Sequence, residues 1–135
     1  MHKILFLCIL IILATSTQLY SQSVTFSPSF NECLDSGGVR EREGCFLAEL
    51  EWQDKRLNQL YQQVMAVEPN KEALKSAQRA WIVFKQKWEV FLADLALDDF
   101  VIRETAYQTR VMITAQQADN LQQLLDMHEY IRNNY

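Results

Sequence analysis

The chain has 135 residues, 49% of them hydrophobic and 22% charged, and its 13 basic and 17 acidic side chains leave a net charge of −4. That length suits a single domain. The acidic balance argues against nucleic acid as a partner and permits a basic one.

Met1-His2-Lys3 is followed by an apolar run from Ile4 to Ala14 and then by small and polar residues through Ser21. A membrane-spanning helix needs about 20 apolar residues. The run is too short for that and suits the central region of a secretory signal peptide. Cleavage is expected after Ser21, with Ser16 as the alternative. Residues 22–135 then form one exported domain, periplasmic or secreted, with no membrane span. Cys8 lies inside the apolar run after Phe6-Leu7, where a lipid-attachment site would need small residues, so it is assigned to the discarded peptide. Cleavage would leave 12 basic against 17 acidic residues, a net charge of −5.

Two cysteines remain, Cys33 and Cys45, and an even count in an exported chain reads as one disulfide rather than two free thiols. Closing a loop of this length contributes about 3 kcal/mol in the chain-entropy model. A zinc site would need more ligands than two cysteines and the single remaining histidine supply, and no cofactor is expected.

Ser27-Pro28 reads as a helix start, with serine as the cap and proline in the first turn. Gly37-Gly38 ends that short helix and leaves Cys33 on it. A second helix is expected from Arg40–Glu43, burying Phe46, Leu50, Leu57, Leu60, Val64 and Val67, with Gln53 the one polar member of the stripe. It ends near Glu68-Pro69-Asn70, because proline disfavours helix at the preceding residue.

From Leu74 to Leu95 the apolar residues Leu74, Ala77, Trp81, Phe84, Trp88, Phe91 and Leu95 alternate three and four positions apart. This spacing predicts a helix pressed along that seam against other helices. No glycine or proline follows Pro69. One uninterrupted helix from Lys71 is therefore the competing possibility, but it could not fold back to cover its own seam. A break at Asp98-Asp99 is preferred, with a last helix running to about Asn133 and burying Tyr107, Val111, Ala118, Leu121, Leu125 and Ile131. The expected fold is all-α: three long helices in an antiparallel up-down-up bundle, with a short disulfide-tethered helix at the N-terminus.

Signs of catalysis are absent from the pattern. His128 has no Ser/His/Asp, Cys/His or metal-ligand spacing around it, and the Glu-x-x-His pairs of di-metal bundles do not occur. The pairs Glu49 with Glu51 and Asp98 with Asp99 read as a solvated face and a helix cap. Asp54, Asn58 and Tyr61 share one face of the second helix, and Gln78 and Arg79 lie on the third. They read as a polar cluster fixing the register between helices, or else as a ligand-facing patch.

Cys33, then Cys45 with Asp54-x-x-Leu57-Asn58-x-x-Tyr61, then Gln78-Arg79-Ala80-Trp81-x-x-Phe84, resembles the LprI-like family, named for a mycobacterial lysozyme-inhibiting lipoprotein. The resemblance covers most of residues 22–135. It implies a small exported helical domain without enzymatic activity, with lysozyme inhibition attached to the family name. The chain departs from the family after the tryptophan. Arg-Asp and a third cysteine are expected there, but the sequence reads Lys85-Gln86 and then Trp88-Glu89. The fourth cysteine is missing too, and the glycine-containing connector is replaced by Asp98-Asp99.

Two functions are weighed. The first is a protein that binds and inhibits a lysozyme or another peptidoglycan-cleaving enzyme. The acidic corner Asp94, Asp98, Asp99 and Glu104 would then meet a cationic partner such as a basic lysozyme. The second is a general envelope interaction module for another protein, with Trp52, beside the seam of the second helix, as a candidate anchor.

Overall fold

The computed structural model describes residues 24–38, 40–95 and 100–135. The expected signal peptide and the connector acids Asp98 and Asp99 lie outside these residues. Among the described residues four helices follow one another: α1 (Phe30–Ser36), α2 (Glu41–Val67), α3 (Lys71–Leu95) and α4 (Phe100–Asn134).

The end of α1 and both sides of the α2–α3 turn follow from local chemistry, whereas the start of α1 does not. Pro69 ends α2 at Val67, and the amide of Glu68 still donates to the carbonyl of Val64 at 2.8 Å. Asn70 then caps α3, its side-chain oxygen accepting from the amide of Ala73 at 3.1 Å. The exception is Ser27, which does not cap α1. Residues 28–29 form a turn, α1 begins at Phe30, and the Ser27 hydroxyl is turned onto the Glu49 carboxylate. Gly37 stops α1 with an ordinary negative φ of −85°. Space is tight there, because a Cβ would stand 3.0 Å from the Cys33 carbonyl oxygen and 3.3 Å from the Glu41 Cβ.

Pairs between helices give their directions. Arg42 meets Glu104 at 2.6 Å, Arg56 meets Asp119 at 2.5 Å and Glu68 meets His128 at 2.8 Å, so numbering rises together along α2 and α4. Those two helices are parallel. The connection between α2 and α3 is only three residues long and turns the chain back, and Leu74 and Trp81 pack against the cluster that holds Leu57, Leu60 and Val64, so α3 runs the opposite way. Lys85 meets Asp54 at 3.0 Å and Gln117 donates to Gln78 at 3.0 Å along it. The result is the up-down-up bundle, with α1 tethered to α2 by the Cys33–Cys45 disulfide across a Cα–Cα distance of 5.8 Å.

The core divides into two clusters. Toward the α2–α3 turn, Leu57, Leu60, Val64, Ala118 and Leu121 are buried, and Leu74 and Trp81 of α3 pack against them. At the disulfide end, Phe30, Cys45, Phe46 and Val111 are buried, with Phe26, Leu34, Leu50 and Tyr107 around them. None of the residues of this second cluster belongs to α3; its place is held by α1 and the segment before it.

This division corrects the expected seam. The inward line of α3 runs through Leu74, Gln78, Trp81, Lys85 and Leu92, and only Gln78 and Leu92 are fully buried. Ala77, Phe84, Trp88, Phe91 and Leu95 lie on the flank and are exposed. The heptad spacing identifies a stripe but not the side from which it is covered. At the far end of the bundle, Val67 and Ile131 are also exposed rather than buried.

A polar network fastens the segment before α1. Glu49 and Gln53 of α2 are fully buried. The amide of Ser27 donates to Glu49 at 3.1 Å, and its hydroxyl donates to the same carboxylate. Gln53 donates to the Thr25 carbonyl at 2.6 Å and to Glu49 at 2.8 Å. The Thr25 amide donates to Asp119 at 2.9 Å, and Asp119 in turn holds Arg56. A buried carboxylate is costly unless hydrogen bonds replace its water, and here three donors do so: the Ser27 amide, the Ser27 hydroxyl and the Gln53 side-chain amide. Glu49 therefore belongs to the core scaffold, not to a solvated face.

Two predictions follow from the core and the network. Phe46→Ala should cost about 3–5 kcal/mol, whereas Phe91→Ala should cost less than about 1 kcal/mol and Trp81→Ala should fall between them. Denaturant unfolding measures all three, and equal losses for Phe46 and Phe91 would contradict the core described. Gln53→Leu should cost about 1–3 kcal/mol by stranding polar partners and should speed hydrogen exchange at the amides of Thr25 and Ser27. Unchanged exchange at those two amides would show that the network does not hold the segment.

Candidate protein-binding site

The residues singled out in the sequence lie in separate places. Asp54 pairs with Lys85, and Gln78 accepts from Gln117, so these two fix the register of α3 against α2 and α4 respectively. Tyr61 packs against the first core cluster, while Asn58 and Arg79 are exposed. The five do not form one cluster. Trp52 is half-buried beside the disulfide, with the Arg56 guanidinium 5.8 Å from its ring. It lines a shallow cavity of about 210 Å³ together with Pro28, Cys33, Cys45 and Glu49.

The acidic corner is split as well. Asp94 is exposed on the last turn of α3. Glu104 is already engaged with Arg42 at 2.6 Å and ties α4 to α2. Close by, the Tyr107 hydroxyl donates to Glu43 at 2.7 Å, and that bond pushes the phenol above its ordinary pKa. Both acids of these pairs thus serve the junction of α2 with α4.

Sequence reasoning missed two surfaces. One is the exposed aromatic flank of α3, where the rings of Phe84 and Trp88 lie 6.3 Å apart and those of Trp88 and Phe91 5.5 Å apart, both edge to face. Its signal was the seam itself, assigned to the core. The other is an open cleft of about 670 Å³ at the opposite end, lined by Gln63, Val67, Leu125, His128, Ile131 and Arg132 among others. Glu68 stands beside it, its carboxyl held below the usual range mainly by the Asn70 amide and then by His128. The pair ties the last turns of α2 and α4 together.

Among the described residues, no group of three or more His, Cys, Asp or Glu is placed to hold a metal ion, and no helix is long and apolar enough to cross a membrane. Among the described residues the chain offers an aromatic flank along α3 and an open cleft at the end of the bundle that holds the α2–α3 turn.

No curated protein and no solved structure matches the chain. The family described as "Lysozyme inhibitor LprI" matches residues 33–124, from the first disulfide cysteine to the seventh turn of α4 and more than half of the sequence. The matched stretch contains the disulfide, buried residues of both core clusters and the inter-helix pairs of α3. The chain belongs to the LprI lysozyme inhibitor family.

Proposed function

We propose that this protein is an exported, non-enzymatic inhibitor that binds a lysozyme or another peptidoglycan-cleaving enzyme and occludes its cleft. Membership of the LprI family carries this reading. Three observations support it: the signal-like N-terminus, the net negative charge and the rigid bundle. A surface held in place before binding loses less entropy on association, which suits an inhibitor that works without turnover.

The contact region we favour is the α3–α4 end, where Asp94 precedes the connector acids Asp98 and Asp99. The open cleft is the weaker candidate, because Leu125, His128, Ile131 and Arg132 all lie beyond the segment matched by the family. We leave Glu104 out of the proposed contact set, because it already pairs with Arg42. A general envelope module binding another protein is the second reading, and the exposed aromatic flank of α3 is the observation that favours it.

The test is a lysis assay with purified lysozymes at low and high salt. The protein should slow lysis, and raising the salt should weaken it, because charge steering is screened. Neutralising Asp94, Asp98 and Asp99 together to asparagine should weaken inhibition about tenfold at low salt and flatten its salt dependence without unfolding the chain. Glu104→Gln should instead lower stability and leave the salt dependence in place. If no lysozyme is slowed at low salt, the inhibitor reading fails and the general module replaces it.

A further inference from the structure

The flank of α3 carries a coiled-coil pattern that the bundle leaves uncovered. Phe84, Trp88, Phe91 and Leu95 follow each other at four, three and four residues and are 48%, 36%, 51% and 48% exposed. A stripe of this spacing matches a facing helix of the same spacing. On the side of the stripe away from the core stand Lys87 and Asp94, seven residues apart and opposite in charge. The core side carries Lys85, engaged with Asp54, and buried Leu92.

We propose that two copies of this protein pair through α3, antiparallel, about a two-fold axis lying between Trp88 and Phe91. In that register Trp88 of each copy faces Phe91 of the second copy, and Phe84 faces Leu95. The same operation brings Lys87 of each copy alongside Asp94 of the other, so the symmetry makes two opposite-charge pairs. A parallel pair would instead set Lys87 toward Leu92, which is buried in its own bundle. The face therefore complements itself in one orientation, the condition for a symmetric dimer.

Area decides the strength. Large apolar side chains expose about 150–250 Å² in full, so four of them about half-open offer roughly 400 Å² per copy, or roughly 800 Å² across the pair. That is below the ~1,200–2,000 Å² of stable interfaces, and the flanking alanines and the stems of Lys87 add only a little to it. The dimer is accordingly weak and concentration-dependent. The inference does not rest on lysozyme inhibition.

Sedimentation of the exported protein, from low micromolar to near-millimolar concentration, tests it. The weight-average mass should rise toward that of a dimer. Trp88→Glu should hold it at that of the monomer, with helicity unchanged by circular dichroism. Lys87→Glu should weaken pairing about tenfold, as expected of two exposed charge contacts reversed by symmetry, and adding Asp94→Lys to it should restore pairing. A monomer at every concentration would overturn the proposal. So would a dimer that is insensitive to Lys87→Glu or is not rescued by the charge swap. The charge variants stand on exposed or flank positions and decide the matter even if Trp88→Glu disturbs folding.

Discussion

What covers the first turns of α2 determines much of the rest of the molecule. The Cys33–Cys45 disulfide holds α1 against this helix. The buried Glu49 and Gln53 hold the segment before α1 by hydrogen bonds to Ser27 and Thr25. Together they place Phe30 against Phe46 at a ring separation of 5.7 Å, and Phe46 stacks toward Tyr107 at 6.5 Å. The disulfide end of the core is thereby filled by α1, α2 and α4. With that space taken, the C-terminal half of α3 turns only Leu92 fully inward and shows its aromatic stripe at the surface.

The buried carboxylate makes this arrangement specific. Glu49 lies in the low-dielectric interior, where an unpaired charge costs several kcal/mol, and its partners come from the chain before α1 and from Gln53. Withdrawing that chain would leave the charge uncompensated, so the segment and the helix stabilise each other. The disulfide limits how far α1 can move away, and the hydrogen bonds fix the segment ahead of it. Thr25 and Ser27 precede the stretch that matches the family, whereas Glu49, Gln53 and Asp119 lie within it.

The helices were legible in the sequence because their ends rest on local chemistry. Pro69 and Asn70 locate the α2–α3 turn without any tertiary information, and Gly37 locates the end of α1. The disulfide followed from the expected export and the even count of cysteines outside the expected signal peptide. The phase of α3 was not legible, because a three-four repeat looks the same whether the stripe meets its own bundle or leaves it. Ser27 was read as a cap because serine before proline satisfies local rules, yet a buried carboxylate 22 residues away claims its hydroxyl. Gln53 stood out as polar within an apolar stripe, but its partner Thr25 lies in a segment with no helical or strand pattern of its own. For the site, Glu104 was legible as an acid and not as one already held by Arg42, since that pairing depends on the parallel register of α2 and α4.

The function we propose is that this disulfide-tethered acidic bundle of the LprI family blocks the cleft of a peptidoglycan-cleaving enzyme by occupying it. The most direct measurement is a calorimetric titration of this protein into lysozyme, with and without an oligosaccharide that fills the enzyme's cleft. Occlusion predicts mutual exclusion: saturating saccharide should lower the apparent affinity for the protein in proportion to its own occupancy. Unchanged affinity with the cleft filled, or no heat of binding in its absence, would contradict the account.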